Sequence, residues 1–120
     1  MNEPELIELR LEQSRRMLVL EYADGQRFEL PCEYLRTHSP SAEVRGHGLS
    51  EPKLMTGKAD VNIDAIVPIG AYAVELQFDD GHRTGIYSWS FLFELGVHQI
   101  RNQDRYRARL IEAGLASRSA

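Results

Sequence analysis

The chain has 120 residues, a mass of 13.7 kDa and a formal charge of -4, enough to close one hydrophobic core and too little for two. Apolar residues make up 42% and charged residues 27%, an ordinary globular mixture, and no apolar run is long enough to span a bilayer. The single cysteine, Cys32, excludes an intrachain disulfide and any zinc site built on a cysteine pair, and the acidic N-terminus is unlike a signal peptide, so a cytoplasmic protein is expected.

Ile7, Leu9 and Leu11 alternate with polar residues, which predicts a short strand with one apolar face, followed by a polar corner at residues 12–15. Leu18, Leu20 and Tyr22 alternate again. Asp24-Gly25 suits the positive dihedrals of a tight hairpin turn, and Phe28 and Leu30 continue the apolar face on the return strand. Pro31 has no amide hydrogen, so it stops the ladder and opens a helical turn through Tyr34 and Leu35.

Residues 37–60 change character. Ser39-Pro40-Ser41, Gly46, Gly48, Pro52 and Gly57 punctuate a stretch whose apolar residues, Val44, Leu49, Leu54 and Met55, keep no period. A long irregular segment in a compact domain is usually functional or mobile, so it is the first place to look for a site.

Val61 and Ile63 begin a third strand, interrupted at Pro68 and Gly70. Tyr72, Val74, Leu76 and Phe78 share one face of the longest strand, and Tyr72, Val74 and Leu76 are expected to be buried. Asp79-Asp80-Gly81 turns the chain and residues 82–87 return it. The period then switches: Ser88 or Ser90 caps a short helix carrying Trp89, Leu92, Phe93 and Leu95 and ending at Gly96. A last helix over 102–113 places Tyr106, Leu110 and Ala113 on one face, to cover part of an apolar sheet. The fold class is α+β, mainly antiparallel β-sheet with Asp-Gly hairpins and a few short helices. It forms a single domain over residues 1–120 with its core in 7–95.

His82 directly follows Asp80-Gly81, and its imidazole can ligate a metal or exchange a proton near neutral pH. The plainer alternative is a histidine bonded to nearby backbone or packed on Tyr87 or Trp89. Cys32, His38, His47 and His82 would together suffice for tetrahedral zinc, but their spacing matches no compact ligand knuckle, and Cys32 beside Pro31 suits a buried thiol. No cofactor or metal is therefore expected, with zinc on those four residues as the alternative. No serine sits in a Gly-x-Ser-x-Gly elbow, and Gly46-His47-Gly48 lacks the Lys-Ser/Thr of a phosphate loop. Asp79 and Asp80 read as turn residues. Arg101, Arg105, Arg107 and Arg109 alternate with Asp104 and Glu112, the pattern of a solvated helix, so no nucleic-acid partner is expected.

Leu35-Arg36-x-x-Ser39-Pro40-Ser41-Ala42, Gly46-His47-Gly48, Ile69-Gly70-x-Tyr72-Ala73-Val74, Phe78-x-Asp80-Gly81-His82-x-x-Gly85-Ile86-Tyr87-Ser88-Trp89 and Leu92 form an ordered set. Together they resemble the gamma-butyrobetaine hydroxylase-like N-terminal domain family, once labelled unknown-function family 971, and the chain looks like a stand-alone bacterial member. The resemblance implies an accessory domain. In eukaryotic 2-oxoglutarate-dependent hydroxylases this domain precedes the catalytic jelly roll, holds a structural zinc through three cysteines and one histidine, and contributes dimer contacts. The family histidine falls on His82, while the cysteines fall on Ser39, Ser41 and Val44, none of which replaces a thiolate. The oxygenase body is far larger than the short stretch after Gly96, so hydroxylase activity is not expected. The same domain also occurs fused to P-loop proteins of the iron-sulfur carrier class.

The expected function is a non-catalytic binding or adaptor domain with an unknown protein partner, linked to iron-sulfur protein assembly or to oxygenase-type partners. A homodimer is a further expectation, and no membrane partner is expected. The candidate ligand or partner surface comprises Arg36, His38, Ser39, His47, His82, Tyr87 and Trp89. The alternative is a small metabolite-binding module or enzyme in which Arg36 anchors an anion and His82 acts as general acid or base.

Overall fold

The computed structural model describes residues 3–41 and 53–116. Its elements run β1 (Leu6–Glu12), β2 (Met17–Tyr22), β3 (Arg27–Pro31), α1 (Cys32–Thr37), β4 (Ile63–Ile69), β5 (Ala73–Phe78), β6 (Gly85–Ser88), α2 (Trp89–Val97) and α3 (Gln99–Glu112). The strands form two three-stranded antiparallel sheets, β1-β2-β3 and β4-β5-β6, each a meander in chain order. This is an α+β fold. No helix among the described residues is long and apolar enough to cross a membrane.

Alternation decides which face each strand buries. Leu18 pairs with Leu30 and Leu20 with Phe28, so the apolar face of β2 meets that of β3. Leu18, Leu20, Leu30, Leu35, Ile63, Leu76, Phe78, Tyr87 and Leu92 are fully buried in one core that joins both sheets to α1 and α2. Pro31 ends β3 and precedes α1 at φ -60°, the value its ring fixes, with an extended ψ of 144°.

The two Asp-Gly turns share one geometry. Tyr22 N–H donates to the Gln26 carbonyl at 2.9 Å and Phe78 N–H to the His82 carbonyl at 3.0 Å, with Gly25 at φ +90° and Gly81 at φ +91°. In each, the aspartate Oδ1 accepts from the amide two residues on, Gln26 at 3.0 Å and His82 at 3.1 Å. They then diverge. Arg27 enters β3 at once, whereas the chain after His82 leaves the ladder until Gly85, which pairs with Leu76. The return strand is therefore Gly85–Ser88, shorter than the 82–87 expected, because His82 turns inward to the core rather than along the sheet.

Several expectations are corrected. Ile7 is 63% exposed because the β1–β2 register shifts between Leu6 and Glu8, a bulge that leaves Leu6, Leu9 and Leu11 facing the core. Tyr72 is 59% exposed: it lies in the turn before β5, where its amide donates to the Ile69 carbonyl, and the inward alternation starts only at Val74. Pro68 does not interrupt β4 but pairs within it opposite Val74, which is allowed because β4 is an edge strand. Gly96 lies inside α2 and not beyond its end; a Cβ there would sit 2.1 Å from the Phe28 ring, so it permits close helix-to-strand approach. Ser88 does cap α2, its Oγ accepting from Phe91 N–H at 3.0 Å. The last helix starts at Gln99, and no residue in it is buried. Gln99, Asn102 and Tyr106 tie it to the Glu29 carbonyl, the Tyr34 hydroxyl and the Met55 carbonyl, and none of its residues belongs to the buried core among the described residues, so it sits at the rim of the fold rather than over an apolar sheet face.

Candidate functional site

Helix α1 is short, and its last turn carries Arg36 into the Asp80 turn. Arg36 Nε donates to Asp80 Oδ2 at 2.8 Å, and Lys58 Nζ donates to the same oxygen at 2.7 Å. With the His82 amide on Oδ1, one carboxylate holds three donors from three parts of the chain. Burial works against the charge on Asp80, but the hydrogen bonds from Lys58, the His82 amide and Arg36 outweigh it and hold the carboxyl at about 2. Arg36 is 5% exposed and its Nη1 is buried with no hydrogen-bond partner among the described residues.

Directly after α1, Ser39 Oγ lies 3.0 Å from His82 Nε2 and accepts from the Ser41 amide at 3.2 Å. Ser41 Oγ lies 2.9 Å from Thr84 Oγ1. His82 is buried, its ring centroid 6.0 Å from that of Phe78. Gly85 makes this approach feasible, since a Cβ there would come within 2.7 Å of Ser39 Oγ and 2.9 Å of the Tyr87 ring. Tyr87 is fully buried and donates through its hydroxyl to the Leu35 carbonyl at 2.5 Å. The segment 36–41 is thus stitched to 80–87 by side chains.

Of the residues singled out from sequence, Arg36, Ser39, His82 and Tyr87 meet in this cluster, all in the interior. His38 faces the other way, its Nδ1 3.0 Å from the Tyr34 carbonyl and its ring 6.0 Å from that of Tyr106. Trp89 is separate: half-buried against the core, it donates through Nε1 to the Ala71 carbonyl at 2.8 Å. Cys32 is buried with Sγ 3.8 Å from Asn62 Oδ1, and burial pushes its thiol up to about 11, so the free thiol stays protonated at neutral pH. His47 lies outside the described residues. Lys58, Thr84 and Gly85 carry no sequence signature as partners, because nothing local ties them to residues more than twenty positions away.

The structural zinc implied by the family resemblance would use His82 and the positions of Ser39, Ser41 and Val44. Ser39 and Ser41 hold their hydroxyls in the bonds just described, valine carries no donor, and Val44 lies outside the described residues. This donor set does not fit zinc, whose structural sites take thiolate and imidazole. Among the described residues no three His, Cys, Asp or Glu side chains converge as a metal site.

Residues 9–93 match the family model described as Gamma-butyrobetaine hydroxylase-like, N-terminal. The chain is similar to a protein known from an NMR solution structure, with 50% identity over 98% of this chain and 86% of the other and a TM-score of 0.79. A second NMR solution structure aligns at 38% identity over 94% and 89% of the two chains, with a TM-score of 0.80. A crystal structure of a protein with unknown function of the DUF971 family from Acidithiobacillus ferrooxidans aligns at 35% identity over 79% of this chain and 98% of that one, with a TM-score of 0.67. No curated protein matches the chain. From the stretch matched by the family model and the extent of these alignments, the chain belongs to the gamma-butyrobetaine hydroxylase-like N-terminal domain family.

Proposed function

We propose that this chain is a non-catalytic protein-binding domain acting in the cytoplasm, and that it docks through the outer face of the β4-β5-β6 sheet. One observation carries the reading: Val67, Glu75 and Ile86 stand in register across the three strands, with Val67 37% and Ile86 45% exposed, and Tyr72 exposed in the turn at the end of the same sheet. Apolar side chains scattered singly are ordinary on a surface; here Val67 on β4 and Ile86 on β6 flank Glu75 on the strand between them, so two exposed apolar side chains bracket one carboxylate on a face that association would cover. The polar cluster around Asp80 supports a non-catalytic role, since Arg36 and His82 are buried and committed to Asp80 and Ser39. The partner classes in keeping with the family are iron-sulfur carrier proteins of the P-loop type and oxygenases, with a second copy of the chain as the homotypic case.

Affinity capture from native cells, run in parallel with wild type and Ile86→Glu, tests this reading. A protein retained by wild type and lost with the variant, at unchanged melting temperature, is the expected outcome. Identical captures from both proteins would contradict it.

A further inference from the structure

Each sheet has two outer strands, and three of the four edges are closed or blunted. The Glu29 carbonyl on β3 accepts from Gln99 Nε2 at 3.1 Å, Pro68 on β4 has no N–H to offer, and Thr84 at the entry to β6 is bonded to Ser41. β1 differs. It is seven residues long and contains no proline, and among the described residues no hydrogen bond joins its backbone to any element but β2.

Hydrogen bonds at both ends of the β2–β3 pair fix which amides face this edge. Tyr22 N–H donates to the Gln26 carbonyl and Cys32 N–H to the Arg16 carbonyl, both at 2.9 Å, so even-numbered residues of β2 direct their amides to β3 and odd-numbered ones to β1. Glu8, Arg10 and Glu12, opposite Glu21, Val19 and Met17, take up those bonds. The N–H and C=O groups of Leu9 and Leu11 are left on the free edge, while their side chains pack against the core. Unpaired edge groups are a template for another extended chain.

The sequence of β1 points to its own copy. Around Leu9, the middle residue of Leu6–Glu12, the strand is self-complementary: Glu8 and Arg10 flank it with opposite charge, and Ile7 and Leu11 flank those with apolar side chains. We propose that β1 pairs antiparallel with β1 of a second copy about a two-fold axis at Leu9, joining two three-stranded sheets edge to edge. Leu9 then exchanges both backbone bonds with Leu9 of the second copy, and each Glu8 faces an Arg10 in a non-hydrogen-bonded pair, where cross-strand side chains come closest. Ile7, 63% exposed, is brought opposite Leu11. Only registers that set odd positions against odd ones use the free amides. A two-fold at Arg10 sets Arg10 on Arg10 and Glu8 on Glu12, and one at Leu11 sets Leu9 against Gln13, beyond the strand. The contact is isologous and separate from the β4-β5-β6 docking face.

Sedimentation equilibrium of the full chain tests this, with amide hydrogen exchange read by NMR in dilute and concentrated samples. Wild type is expected to dimerise reversibly, its Leu9 and Leu11 amides exchanging more slowly as the dimer forms. Glu8→Arg and Arg10→Glu should each weaken self-association roughly tenfold or more, because every Glu8–Arg10 pair becomes a like-charge pair. Both should stay folded, since the exposed ion pairs they lose contribute little. Mixing the two variants should restore dimerisation between unlike chains, since each Arg then faces a Glu; a merely structural effect of either substitution would not be undone by the other chain. Ile86→Glu should leave self-association unchanged, so this contact and the docking face stand or fall separately. A wild type that stays monomeric at millimolar concentration, a dimer whose Leu9 and Leu11 amides exchange as fast as in the monomer, a folded Glu8→Arg that associates as tightly as wild type, or a mixture of folded variants no more associated than its components would overturn the proposal. Loss of the dimer in Ile86→Glu would overturn it too, placing the second copy on the other sheet.

Discussion

Asp80 illustrates how much one side chain can hold and how little of it is written nearby. In sequence it reads as a turn aspartate before Gly81, and it is one; its bond to Arg36 spans 44 positions and has no local signature. His82 and Ser39 pose the same difficulty, since neither a period nor a motif pairs them before the fold brings them to 3.0 Å. Removing Asp80 leaves Arg36 buried without its counter-charge, so Asp80→Ala should cost about 2–3 kcal/mol, somewhat below a fully buried pair because Asp80 is partly open to water. Lys58→Ala should cost under about 1 kcal/mol, because Arg36 still neutralises the carboxylate. The lowered carboxyl also sets a pH dependence. Its stabilisation is fully present above the ordinary carboxyl value of 3.8 and is lost as the pH falls through about 2. Urea unfolding between pH 5 and 2 should therefore show wild type losing on the order of 1–2 kcal/mol more than Asp80→Asn. Gly85→Ala should cost about 1–3 kcal/mol, since either Ser39 or Tyr87 has to give way; thermal unfolding reads this directly.

Among the elements, the β2–β3 unit is the most legible because all its determinants are local: Leu18, Leu20, Tyr22, Phe28 and Leu30 at period two around Asp24-Gly25. The same rule places Val74, Leu76 and Phe78 inside and misplaces Tyr72, because alternation says nothing about where a turn ends and a strand begins. A bulge is similarly silent in sequence, which is why alternation alone turns Ile7 inward. Leu76, fully buried on the central strand of its sheet, should cost about 2–5 kcal/mol as Leu76→Ala, measured by denaturant unfolding. Helix α3 is the opposite case. With no buried residue and with side-chain bonds from Gln99, Asn102 and Tyr106 tying it down, it should open below the global free energy, and its amides should exchange hydrogen faster than those of β5. Equal protection in the two elements would show that α3 unfolds only with the core. The outer face of the first sheet is laced by Arg10, Arg15 and Arg27 with Glu8, Glu12, Glu21 and Glu29. Val19, opposite Arg10 and Glu29, is buried beneath their stems, although alternation alone would leave it at the surface.

In the whole molecule, two small sheets and two helices close one core, while the polar stitching of 36–41 to 80–87 occupies the corner that the family resemblance assigns to zinc. The outer faces of the two sheets differ: one is covered by ion pairs, the other presents Val67 and Ile86 on either side of Glu75, the face on which the proposed docking rests. The most direct measurement is site-specific photo-crosslinking in native cells, with the crosslinking residue placed at Ile86 and, as a control, at Asp104 on α3. A discrete protein adduct is expected from position 86, including a second copy of this chain if association is homotypic, and none of comparable yield from position 104. Equal adducts from both positions, or none from position 86, would contradict it.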